Sequence, residues 1–183
     1  MHVRNSPDGY GAVAMTLHWA VVILVFCAWL TGQFGDVLPR GPQREAGEFI
    51  HIFLGLAILA LVAARLFWRL ADPPPPEDPA IGRWSERAAR AIHYMMYALL
   101  VAAPIAGIAL QFARGHALPV FGLFEIASPW VADRSFARNV KEVHETLANA
   151  LLLLVGLHAA AALVHHYVLH DRTLTRMLPG SRR

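Results

Sequence analysis

"KEVHETLANALLLLVGLHAAAALVHHYVLH", residues 141–170, sets five histidines in one apolar run. A polar ring in hydrocarbon is costly unless it finds a partner, and ionisable residues inside membrane spans mark functional sites. Leucine would cost less at each of those positions. The run therefore asks what holds the imidazoles.

The rest of the chain shares its apolar character. Of 183 residues 56% are hydrophobic and only 16% charged, which is too apolar for a soluble domain and points to a membrane protein. Four segments lack acidic and basic residues: Val13–Gly35, Phe49–Ala64, Ala91–Ala113 and Thr146–His170. A helix needs about 20 apolar residues to cross a hydrocarbon core of roughly 30 Å. Three segments reach that length, and the second does so if Arg65 and Arg69 snorkel to the headgroups. The expected fold is an all-α four-transmembrane-helix bundle, with helices near 13–35, 47–70, 89–113 and 141–170. It forms one integral-membrane domain over residues 1–183 with no separate soluble domain. The first run is longer than the core of a signal peptide and lacks a clear cleavage site, so it is read as a permanent helix.

Arginine and lysine counts set the orientation. With both termini on one side, that side holds Arg4, Arg65, Arg69, Arg83, Arg87, Arg90, Arg172, Arg176, Arg182 and Arg183. The other holds Arg40, Arg44, Arg114, Arg134, Arg138 and Lys141. Ten against six places both termini in the cytoplasm. The same bias explains the net charge of +3, so nucleic-acid binding is not inferred from it. Cys27 is the single cysteine and reads as a small buried hydrophobe; there is no Cys-x-x-Cys-His run for covalent haem attachment.

Between the spans, "DPPPPEDP" after the second helix should be extended and stiff. Pro104, with Gly107 one turn later, should kink the third helix. The external loop of about 25 residues, with Phe121, Phe124, Trp130 and Phe136, is long enough to fold over the bundle, and its aromatics read as membrane-interface residues ahead of a substrate lid.

Position sorts the ten histidines. His2 and His116 lie in polar ends or loops; His165, His166 and His170 come near the cytoplasmic end of the fourth helix. His18, His51, His93, His144 and His158 remain. His144 and His158 are 14 residues apart, about 21 Å along the axis and within about 40° of the same face. His51 begins the second helix on the outer side and can face His144. His18 begins the first helix on the inner side and can face His158. Two depth-matched pairs result.

Four readings compete for such pairs. Metal-free histidine hydrogen bonds are one. Zinc usually wants four ligands, and neither pair brings a Cys, Asp or Glu to complete them, since Glu48 and Glu145 look like interface residues. A proton relay usually employs carboxylates, which the helix interiors lack. Haem iron needs only two axial ligands, one from each of two helices, and is favoured over uncommitted polar packing. Gly55, Gly156 and the alanines 159–162 offer room for a flat macrocycle, though small residues also let helices pack directly.

The segments "HETLANALLLLVGLHAAAALVHHY" and "DRTLTRMLP", with "LHW" and "IHIFLG" in the first two helices, resemble the bacterial four-helix cytochrome b561 family from about Leu17 to Pro179. The likeness is greatest to its diheme superoxide oxidases (superoxide:ubiquinone oxidoreductases) of the bacterial inner membrane. The resemblance implies two non-covalent b haems, with iron ligands His18, His51, His144 and His158 in the pairs His18/His158 and His51/His144. It also implies an electron path from external superoxide to ubiquinone near the cytoplasmic side, yielding O2 and ubiquinol. His165, His166 and His93 would lie near that end, His165 and His93 being the quinone-side candidates. No catalytic side chain is singled out. The acidic "PEDP", where basic residues are the family's expected pattern, departs from it. The alternative is a haem b membrane-anchor subunit that passes electrons to quinone from a partner dehydrogenase, such as a hydrogenase. A partner is compatible with the first reading but not required by it.

Overall fold

The computed structural model describes residues 2–7, 9–76 and 82–178. Four long helices dominate: α1 Ala12–Phe34, α2 Pro42–Ala71, α3 Arg83–Ala113 and α4 Arg134–Tyr167. All four are long and apolar enough to span a membrane. In hydrocarbon no water satisfies the backbone, so each apolar run closes its own hydrogen bonds as a helix. The chain is a four-helix membrane bundle in which α1 packs on α2, α3 on α4, and α2 on α3.

While α1 starts one residue before its apolar segment, α2, α3 and α4 start seven or more residues before theirs, because polar residues add turns outside the core. At 34 residues α4 is about 51 Å long, well beyond a bilayer's hydrocarbon. Its start is fixed by Asp133, whose side chain accepts from the N–H groups of Ser135 and Phe136 at 2.8 and 3.0 Å. Pro42 opens α2 with Glu45 in its first turn, both suited to a helix N-terminus. The third helix continues through Pro104 and stops at Gly115, whose φ of 74° carries the left-handed turn.

The loop between α3 and α4 contains an antiparallel pair, β1 Leu118–Val120 with β2 Phe124–Ile126, which composition did not announce. It packs on the start of α2, with Phe121 edge-on to Phe53 at 5.2 Å. Trp130 sits between Phe112 and Phe136. At the opposite end the N-terminal segment is tied down. Asn5 donates to the Asp72 side chain and to the Asp72 and Pro73 carbonyls, and Tyr10 N–H donates to Arg176 O. Trp19 Nε1 donates to Met177 O. Pro73–Pro76 carry no regular structure; Glu77–Pro79, Arg182 and Arg183 lie outside the described residues.

Val21, Val25, Ile58, Val62 and Leu151 form a buried apolar layer. Leu151 is seven residues from both His144 and His158, about 10 Å from each along α4. The layer thus separates two polar ends of one bundle.

Candidate functional site

At the end away from the termini, α1, α2, α3 and α4 wall a cavity of about 440 Å³ that contains His51 and His144. The two rings face each other edge to face, centroids 5.9 Å apart and planes at 87°. His51 Nδ1 donates to the Ala28 carbonyl at 2.9 Å and lies 3.2 Å from Thr31 Oγ1. His144 Nδ1 donates to the Ala103 carbonyl at 2.8 Å. Both rings therefore carry their proton on Nδ1 and keep the Nε2 lone pair for a metal, the usual tautomer of a tethered histidine ligand.

Glycine makes these tethers reachable. A Cβ on Gly32 would lie 2.9 Å from His51 Cε1, and one on Gly107 would lie 3.2 Å from His144 Cε1. Each glycine follows the accepting alanine by four residues, one helical turn. The imidazole slips past the bare Cα to reach the carbonyl. Gly55, which lines the same cavity, would meet nothing within 4 Å, as would Gly156, which is not among the cavity's lining residues. The glycines that shape the histidines' surroundings are thus Gly32 and Gly107, in the AxxxG spacing of "AWLTG" and "APIAG".

Nearer the termini, His18 and His158 have ring centroids 6.5 Å apart at 76°. His93 lies closer to His158, at 5.1 Å and 68°. A metal bonded to two opposed imidazoles at about 2 Å each puts the centroids roughly 6 Å apart. The His51/His144 and His18/His158 separations match that span, while His93/His158 is a direct ring contact. Among the described residues no three His, Cys, Asp or Glu side chains converge on one point. Histidines that come together in twos could serve a haem iron with two axial ligands, and the outer two line a cavity that Gly32, Gly55 and Gly107 also line.

Arg65 departs from the snorkelling expectation. Its Nη1 lies 2.8 Å from His18 Nδ1 and its Cζ lies 5.7 Å from the centre of the Tyr97 ring. A guanidinium only donates, so His18 Nδ1 accepts here. A metal at Nε2 would replace the proton that the neutral ring carries there, with the arginine charge beside it. The expected polar partner of Arg65 is thus inside the bundle rather than among headgroups.

His165, in the last turn of α4, contacts the Asp171 carboxylate through Nδ1, and Asp171 also accepts from Thr173 N–H at 2.8 Å. Burial raises the Asp171 pKa, but these hydrogen bonds outweigh it and hold the carboxyl below its ordinary value. His166 meets the Tyr167 ring edge-on, with centroids 4.7 Å apart.

Known proteins bear on this arrangement. A model of the prokaryotic cytochrome b561 family matches residues 9–180. "Probable superoxide oxidase CybB" of Yersinia pestis is 38% identical over 94% of this chain and 97% of its own length. "Cytochrome b561 homolog 2" of Escherichia coli is 31% identical over 99% and 97%, and "Cytochrome b561 homolog 1" is 35% identical over 89% and 93%. With the match running through all four helices, the chain belongs to the prokaryotic cytochrome b561 family of haem b membrane electron-transfer proteins.

Proposed function

We propose that this protein takes electrons from superoxide at its outer end and delivers them to ubiquinone at its inner end, releasing O2 and forming ubiquinol. The observation that carries the reading is the pair of histidine pairs, stacked on either side of the Val21–Leu151 layer. In this reading His51 and His144 hold one haem b, and His18 and His158 hold a second. Bound haem supplies one-electron exchange at a potential that its surroundings tune. The protein then lies in the bacterial inner membrane as a single diheme domain with both termini cytoplasmic.

The chain's own residues prepare each end. Ala28 and Ala103 fix the outer rings in their ligating tautomer. The cavity wall carries Arg44, Arg114 and Lys141 against Glu48 and Glu145, although acids outnumber cations over the external segments as a whole. That local excess favours a small anion. Arg114 is paired with Glu48 at 2.9 Å and Lys141 with Glu145 at 3.4 Å, so the field is moderate. At the inner end the Asp171 carboxylate holds Nδ1 of His165, leaving Nε2 to exchange a proton. Two superoxide ions supply the two electrons, and two protons complete the quinol.

The likeness to a protein named a probable superoxide oxidase supports this substrate choice. The anchor-subunit reading differs in needing a second protein. Purified chain in lipid nanodiscs, supplied with superoxide and ubiquinone alone, should form ubiquinol; no quinol without an added dehydrogenase would overturn the proposal.

A further inference from the structure

A second, far smaller cavity of about 30 Å³ lies at the inner end, walled in part by Tyr10, Arg65, Trp68, Arg69, Asp72 and Tyr97. Two polar atoms of its lining side chains, Trp68 Nε1 and Tyr97 Oη, are buried without a hydrogen-bond partner. Native interiors rarely leave such groups unsatisfied, and two beside one cavity point to an acceptor that is not protein. The volume selects by size. It matches one water or one carboxylate and is about tenfold below a pocket for a quinone-sized ligand.

Donor count then separates the two. The indole N–H and both guanidinia can only donate, and the tyrosine hydroxyl can donate as well. Asp72, the acidic side chain in the lining, already accepts from Asn5 N–H at 2.8 Å. Burial pushes the Tyr10 hydroxyl above its usual pKa, although the guanidinia of Arg69, Arg176 and Arg65 pull the other way. Tyr10 therefore stays neutral and supplies no counter-charge. A water offers two lone pairs and no charge, whereas a carboxylate offers about four lone pairs and a negative charge. Arg65 ties the cavity to the inner histidines by touching His18 directly.

We propose that Arg65, Trp68 and Tyr97, with Arg69 beside them, form a carboxylate cradle that receives a propionate of the haem held by His18 and His158. The inference rests on the reading of that pair as haem ligands. The cradle fixes how the macrocycle is turned about its axis and offsets the propionate's charge inside the bundle.

The test uses the full chain, reconstituted with haem b carrying ¹³C-labelled propionate carboxylates or with haem dimethyl ester, which has no carboxylates. Tyr97→Phe removes its donor at nearly constant shape, and Trp68→Phe removes the indole N–H together with part of the ring, so Tyr97→Phe is the cleaner of the two. With haem b, each variant should keep the outer haem, weaken retention of the inner one about tenfold against a haem scavenger, and shift a labelled band in redox-difference infrared spectra. With the ester, whose carbonyls are uncharged and weaker acceptors, the variants should differ from wild type far less. Unchanged retention and bands in both variants would overturn the cradle, as would equal effects with the ester, which would mark a water or free-anion site. Wild type holding fewer than two haems removes the ligand reading itself, and the cradle with it.

Discussion

His51 and His144 stand 5.9 Å apart across the bundle, each anchored to a backbone carbonyl of a third or fourth helix, Ala28 of α1 and Ala103 of α3. The outer pair is therefore held by all four helices. The inner pair is built differently, with a guanidinium in place of a carbonyl at His18.

From this contrast, His51→Ala or His144→Ala should remove one haem, and His18→Ala or His158→Ala the other. Pyridine haemochrome assays and redox titration should sort the four variants into two classes, each retaining one haem per chain. If His93→Ala matched His158→Ala while His18→Ala kept both haems, the inner pair would have to be redrawn as His93/His158.

Gly107→Ala should displace His144, because the new methyl would stand 3.2 Å from Cε1, and Gly32→Ala should press harder on His51 at 2.9 Å. Both are expected to lower outer-haem content and leave the inner haem's midpoint in place, with Gly32→Ala the more severe. Optical spectra of the reduced proteins decide it: full haem content in both would mean that the rings relax freely.

Much of this was legible in the sequence. Apolar run lengths foretold four helices, and the 14-residue spacing on α4 foretold that His144 and His158 would meet partners at different depths. Polar extensions such as Arg134–Val140 were not, because hydropathy detects the bilayer and not the helix. Arg65 misled for a related reason. An arginine near a span's end reads as a headgroup ligand, and only the position of His18, 47 residues earlier, shows where its guanidinium goes. Gly32 and Gly107 did leave a signal in their shared AxxxG spacing, but small residues four apart are so common between packed helices that the spacing alone names no partner.

The N-terminal tie should matter for stability. Asn5→Ala removes two donations, to Asp72 O and Pro73 O at 3.0 Å each, and an acceptance from Gly11 N–H at 2.8 Å. A loss of about 1–3 kcal/mol is expected for such partly buried bonds. Gly11→Ala should be worse, since its Cβ would fall 2.4 Å from the backbone of Val3 and Arg4, which cannot yield as a side chain can. Thermal unfolding in detergent should rank wild type above Asn5→Ala and Asn5→Ala above Gly11→Ala; equal midpoints would show the segment to be a passenger.

The last prediction concerns Asp171 as a positioning residue for His165. Its carboxylate holds the ring by Nδ1, and Thr173 holds the carboxylate in turn. Burial raises the Asp171 pKa, but the hydrogen bonds from His165 and Thr173 outweigh it and hold the folded carboxyl below its ordinary range. A depressed folded pKa means the tether's stability is fully present above the unfolded value and is lost as pH falls through the folded one. At neutral and mildly acidic pH the tether is therefore intact, so pH changes in that range should not release His165 by protonating Asp171. Asp171→Asn removes the charge and keeps the shape. It should leave both haems and their reduction by superoxide unchanged, while slowing haem reoxidation by ubiquinone, to an extent similar to His165→Ala. Stopped-flow measurement of the two half-reactions separates the steps. Slowed reoxidation in His165→Ala with normal reoxidation in Asp171→Asn would leave the histidine in the mechanism and take the aspartate out of it; normal rates in both would remove the dyad from the quinone reaction altogether.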